Sequence, residues 1–125
     1  MAITIKTVST RKELKTFVRF ANRLYKGSKY YVPSMPLDDL NTLDKSVNGA
    51  FEFCEAEYFL AYKDEKLVGR VAAIINNKAN EAWNVNQVRF GWFDFIDDIE
   101  VSKALLDAVI QFGKEHGKTQ IVGPL

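Results

Sequence analysis

The chain predicts a single α/β domain, and three stretches carry that prediction. Glu57–Tyr62 (EYFLAY) and Lys66–Ile75 (KLVGRVAAII) are dense in aromatic and aliphatic residues and flank Asp64-Glu65, the pattern of a β-hairpin. Leu14, Phe17, Val18, Ala21, Leu24 and Tyr25 recur at three- and four-residue steps, the apolar stripe of an amphipathic helix. Phe93–Gly117 (FDFIDDIEVSKALLDAVIQFGKEHG) reads as the end of a strand, an acidic turn and a second helix. With 125 residues, 47% of them hydrophobic and 13% aromatic, the chain suits one packed core.

Taken in order, Ile3–Val8 (ITIKTV) alternates and is β-branched, so it reads as a first strand. Thr10 stands three residues before Glu13, the spacing of a capping box that opens the first helix; Gly27 supplies its stop. Ser28–Phe53 is irregular, broken by Pro33 and Pro36, with a short helix expected over Asp38–Lys45 and a turn at Asn48-Gly49. The hairpin follows. Asn76–Glu81 (NNKANE) reads as a polar loop, and Asn86–Ile96 as a long buried strand with Val88, Phe90, Trp92 and Ile96. Gly91 inside that strand predicts a bulge or a close backbone approach. The last helix starts with Asp97 and Glu100 at capping spacing and with Ile96 and Val101 at the staple positions. Its apolar face is Val101, Ala104, Leu105, Ala108, Val109 and Phe112, and His116-Gly117 closes it. Thr119–Val122 begins a final strand, and the domain, spanning 1–125, is expected to be cut off after it.

Charge is distributed unevenly. Met1–Pro36 holds eight basic residues and one acid, Glu13, a net of +7 that leaves −6 on the remainder. A solvated basic helix explains this, and so does a surface for an anionic partner: a phosphate, an acyl carrier or a lipid headgroup. Nucleic acid is not expected, since the basic stretch matches no recognition module. One cysteine, Cys54, allows no internal disulfide and suits a reducing compartment. Met1–Lys6 lacks the apolar segment of a signal peptide, and no apolar run approaches the ~20 residues of a spanning helix, so a cytoplasmic protein is expected. Cys54 and His116 are the only residues of their kinds, which argues against a metal site and against a Cys–His nucleophile pair. His116 is expected to meet the carbonyls that end its helix. Tyr30, Tyr31, Phe51, Phe53, Trp83 and Trp92 read either as core or as the lining of an acyl-chain groove.

The hairpin EYFLAYKDEKLVGRVAAI resembles the second and third strands of the GCN5-related N-acetyltransferases, the GNAT family. LYKGSKYYVPSMPLD, AYKDEKLVGRVAAIINNKAN, FGWFDFIDDIEVSKALLDAV and the closing GPL are similar to one bacterial branch, related to ceramide-synthase-like acyltransferases. The resemblance covers essentially the whole chain. It implies a mixed, largely antiparallel sheet with helices on both faces, in the order β-α-(α)-β-β-β-α-β. It also implies an acyl-CoA or acetyl-CoA donor and an amine acceptor, a sphingoid base in that branch. Asp94, on the fourth strand, then becomes the candidate general base, and backbone N–H groups near Phe95 become candidates for polarising the thioester carbonyl. The general acid of the family would lie beyond Leu125. If the acceptor is a lipid, the basic first helix would lie against a membrane. A non-catalytic module that self-associates through an open sheet edge is the rival reading.

The junction before the last helix departs from the family. GNAT enzymes place Gln/Arg-x-x-Gly-x-Gly/Ala there, so that the backbone closes around the diphosphate of coenzyme A. Aligned on Ala104-Leu105-Leu106, this chain has Asp97 at the first position, Glu100 at the first glycine and Ser102 at the second small residue. Phe95, Ile96, Asp97, Asp98, Ser102 and Lys103 thus occupy the donor-binding positions in altered form. A carboxylate ~5 Å from a phosphate at an effective dielectric of ~20 costs about 3 kcal/mol before screening. The sequence leaves two readings of this turn, helix capping alone or a modified donor site in which Lys103 or the first helix compensates.

Overall fold

The computed structural model describes residues 3–26, 36–45 and 48–123. Its strands β1 (Ile3–Thr7), β2 (Cys54–Lys63), β3 (Lys66–Asn76), β4 (Gln87–Phe95) and β5 (Gln120–Val122) form one sheet in sequence order. The first four are antiparallel, and β5 runs parallel to β4. Helices α1 (Arg11–Leu24) and α2 (Pro36–Leu43) cover one face, and α4 (Ile99–Glu115) covers the other. This is the mixed, mainly antiparallel sheet with helices on both faces that the resemblance implies.

Each face is built by period-two alternation. Phe59 and Ala61 of β2 and Val71, Ala73 and Ile75 of β3 meet Val101, Leu105, Val109 and Phe112 of α4. Ala56, Tyr58 and Leu60 of β2 and Ala72 of β3 meet Leu14, Phe17 and Val18 of α1 and Leu40 and Leu43 of α2. Gly69 is the point of closest approach. A Cβ there would lie 2.8 Å from Leu105 Cδ1 and 3.0 Å from Val101 Cγ1, so α4 sits directly on the β3 backbone.

The local signals mostly hold. Glu13 N donates to Thr10 Oγ1 at 3.1 Å, the forward half of the capping box. The return half goes to the preceding residue: Ser9 N and Ser9 Oγ both donate to Glu13 Oε1. Asp64 and Glu65 turn the hairpin with φ of 52° and 67°, the paired positive values of a two-residue type I′ turn. Helix α1 ends at Leu24 with Tyr25 as its cap, and Gly27, like Tyr30, Tyr31 and Pro33, lies outside the described residues.

Two expectations fail. Asn76–Glu81 is not a loop: β3 runs to Asn76, whose side chain then caps a short helix, α3 (Asn77–Trp83), by accepting from Ala79 N at 2.9 Å. The polar composition hid it because most of this helix is solvated; Asn80 alone is buried, donating to Gln87 O. The start of α4 is also one residue late. Asp98, not Asp97, is the N-cap, its side chain accepting from Glu100 N at 2.9 Å, while Asp97 is exposed. Ile96 and Val101 still pack into the same core, although they are no longer at the staple positions.

Candidate functional site

The fourth strand changes faces part-way along. Val88 and Phe90 point into the α4 side of the core, and so do Phe93 and Phe95, an even pair followed by an odd pair. The switch is a bulge: Ala72 pairs with Gly91 and Arg70 with Asp94, so two steps on β3 face three on β4. Trp92 takes up the extra residue at φ 51°, unfavourable for a bulky side chain, so the surrounding packing must hold it. The predicted bulge is present, with Gly91 at its entry. Its effect is chemical. Without it, Asp94 would share the parity of Phe90 and point its carboxylate at the apolar face of α4. With it, Trp92 and Asp94 turn to the α1 side.

There Asp94 meets Arg70. Asp94 Oδ2 accepts from Arg70 Nε at 3.0 Å and from Arg70 Nη2 at 2.8 Å, a two-pronged contact. Arg70 Nη1 donates to the α1 carbonyls of Phe17 at 2.8 Å and Val18 at 3.3 Å. The guanidinium lies 5.3 Å from the Phe17 ring and 5.4 Å from the Trp92 ring. Tyr25, at the end of α1, donates its hydroxyl to Asp94 Oδ1 at 2.9 Å. Arg70 is only 5% exposed, so burial on this scale demands these partners. The cluster thus ties β3, the β4 bulge and α1 together at one point.

The junction is organised separately. Asp98 Oδ2 pairs with Lys63 Nζ at 2.8 Å, across from the end of β2. That pairing first, and the Glu100 N–H second, hold the Asp98 carboxyl below its ordinary range. Ile96 N donates to Val68 O, and Ser102 Oγ donates to Ile99 O, so both groups are used within the protein. Asp97, Glu100 and Lys103 are exposed, and Phe95 packs into the α4 side of the core. Lys63 pairs with Asp98 alone of the three carboxylates in this turn among the described residues. Helix α1 packs on the other face of the sheet from α4.

Sequence reasoning brought forward Asp94 and the junction residues, and the structure sets them on two sides of the β4 end. It missed Arg70, Tyr25 and Lys63. An arginine inside the apolar run KLVGRVAAII was the available signal for Arg70. Of the proposed groove aromatics, Phe51 and Trp92 pack against the α1-side core, whereas Phe53 and Trp83 are exposed. His116 contacts the Phe112 carbonyl at 2.9 Å, as expected of a helix-end histidine. A groove of about 480 Å³ lined by Glu57, Gln111, Glu115 and His116 lies at the far end of α4 from the junction, so volume alone does not mark the site.

The architecture decides the comparison with known proteins. A tandem GNAT protein from the clavulanic acid biosynthesis pathway superposes with a TM-score of 0.72 at 10% identity, over 96% of this chain and 35% of that one. This chain has the GNAT fold. An aminoglycoside acetyltransferase from an uncultured soil metagenomic sample superposes at 0.65 and 14% identity, over 98% and 77% of the two chains. A GNAT-family acetyltransferase from Staphylococcus aureus does so at 0.58 and 20%, over 96% and 71%. No family model matches the chain. Among curated proteins it is 28% identical to Protein YghO of Escherichia coli over 120 residues, 96% of this chain and 30% of that protein. It is 27% identical to a bacterial ceramide synthase of Caulobacter vibrioides over 118 residues, 94% of this chain and 31% of that one. The chain therefore spans about a third of the length of these two relatives. No helix among the described residues is long and apolar enough to cross a membrane.

Proposed function

We propose that this chain forms the donor-side half of an acyl-CoA-dependent N-acyltransferase whose acceptor is an amine of the sphingoid-base class. One observation carries the reading. The bulge at Gly91-Trp92 turns Asp94 out of the apolar core and into a polar cluster, on a fold shared with acetyltransferases. Asp94 Oδ1 spends one lone pair on Tyr25 and keeps a second for a substrate proton. Asp94 is the base in this reading; Arg70 and Tyr25 hold its carboxylate in one orientation. The amine nitrogen attacks the thioester carbonyl and the C–N bond forms; the C–S bond breaks with its electron pair leaving on the coenzyme A thiolate, and the amine proton passes to Asp94 and on to that thiolate. The ceramide synthase relative supports the acceptor class.

The donor's diphosphate fits less well. At the N-terminus of α4 it would compete with the Asp98 carboxylate for Glu100 N and would face Asp97 and Glu100. This mismatch favours a second reading, a non-catalytic GNAT-fold module that leaves coenzyme A unbound.

Calorimetric titration of the full-length protein with acetyl-CoA and with a long-chain acyl-CoA separates the two, run beside an Asp97→Gln/Glu100→Gly variant. Micromolar binding by the wild type is expected on the first reading. Binding gained only by the variant identifies the carboxylates as a block and supports the second. Silence from both removes the donor-site assignment.

A further inference from the structure

The geometry points to α1 as the docking edge for an anionic membrane surface, with its row of cations set against lipid phosphates. Lys12, Lys15, Arg19 and Arg23 are all exposed. At 100° per residue they fall within about 80° of one another around the helix, and at ~1.5 Å per residue they form a row roughly 16 Å long. Lys26, exposed in the turn that follows, extends it. None of the five has an ion-pair partner among the described residues. The other charges of this helix are already used: Glu13 is taken by Lys6 and Ser9, and Arg11 by Asp44. The opposite stripe, Leu14, Phe17, Val18 and Ala21, is at most 7% exposed, so the helix cannot roll and the row faces outward.

The chemistry of the row selects the occupant. Protein interfaces draw their energy from buried aromatic and apolar anchors and are depleted in lysine. Among the described residues the exposed large apolar side chains are Phe53, Trp83, Ile99, Ile110, Ile121 and Val122, and none is on α1. A bilayer surface asks only for cations, each worth about fivefold in affinity near anionic headgroups. It also touches α1 along a single line, whereas the chain from residue 37 onward carries −6; of those acids Asp64 and Glu65, in the hairpin turn, border the Arg23 end of the row. A polyanion that wraps the protein would meet that charge. This inference stands on charge and placement and is independent of the acyltransferase reading.

The test is sedimentation of the full-length protein with vesicles of phosphatidylcholine alone and of phosphatidylcholine with phosphatidylglycerol, at about 0.1 M salt. The wild type is expected to sediment with the anionic vesicles only. The variant Lys12→Gln/Lys15→Gln/Arg19→Gln/Arg23→Gln should lose two to three orders of magnitude in partitioning, at about fivefold per cation. The pairs Lys12→Gln/Lys15→Gln and Arg19→Gln/Arg23→Gln should each lose about 25-fold, which keeps the result readable if the fourfold variant does not fold. Equal partitioning of wild type and variants overturns the proposal, as does wild-type binding to neutral vesicles. Tighter binding to a short DNA duplex than to the anionic vesicles assigns the row to nucleic acid instead.

Discussion

Two ion pairs stand at the end of the β4 region, and both have an N–O distance of 2.8 Å. Arg70–Asp94 lies under α1, with side chains 6% and 19% exposed; Lys63–Asp98 lies at the start of α4, at 29% and 20%. Equal distance does not mean equal consequence. Arg70 is sealed by two rings and two helix carbonyls, so removing either partner strands a charge away from water. Lysine at the hairpin end can re-solvate if Asp98 is lost, and Asp98 keeps its backbone cap if Lys63 is lost. Burial of the partners, more than the pair itself, decides what each contributes.

The largest expected effect follows from the buried pair. Arg70→Met should destabilise the fold by about 3–5 kcal/mol in chemical denaturation, because Asp94 then has no cation. Adding Asp94→Leu to that variant should recover much of the loss, since two apolar side chains can replace a buried pair. If the double variant is as unstable as the single, the bulge geometry and not the charge is what Arg70 supports.

Gly69→Ala tests the surface between the two pairs. Its Cβ would press on Leu105 and Val101, and a loss of about 1–3 kcal/mol is expected from overpacking. A smaller loss would show that α4 can shift on the sheet, and with it the junction that holds Asp98.

The half-buried pair should respond less. Asp98→Ala removes a cap as well as a charge, and a fall in Tm on the order of 5 °C is expected. Lys63→Met should cost less than that and should lose its effect in high salt. The pH dependence has a definite sign. Asp98 is held below its usual value of 3.8, so its contribution is complete above that pH and disappears as acid protonates it. Glu13 behaves alike over a wider window. The Lys6 ammonium first, then Ser9, lower its pKa from 4.5 to about 2, so its contribution is lost between those values on acidification. Thermal scans across pH 4.5 to 2 should steepen in the wild type and flatten in Glu13→Gln.

Much of this was readable from the chain because it is local. The stripe of α1 and its Thr10–Glu13 cap each depend on residues within a few positions of one another, and the hairpin follows from one turn at Asp64-Glu65. The bulge had one local trace, Gly91; the even positions Val88, Phe90, Trp92 and Ile96 read as a single buried series, and only the structure sets Trp92 on the α1 side. The cap of α4 was misread by one residue because Asp97 and Asp98 are equally good caps, and the choice falls to Lys63, 35 positions away, whose ammonium draws in Asp98. The helix after β3 was misread because a solvated seven-residue segment has no apolar period to report.

By itself, then, the sequence determined the order of the elements apart from α3, the main apolar faces and the uneven charge, all set by side chains acting over one or two turns. Only the tertiary structure decided that Arg70 reaches both Asp94, 24 positions on, and the α1 carbonyls of Phe17 and Val18, 53 and 52 positions back. The same holds for Tyr25 and Asp94, 69 positions apart. The physical reason is that a buried charge takes whatever partner the packed backbone brings within 3 Å, and that neighbour is chosen by sheet register and helix docking, not by spacing along the chain.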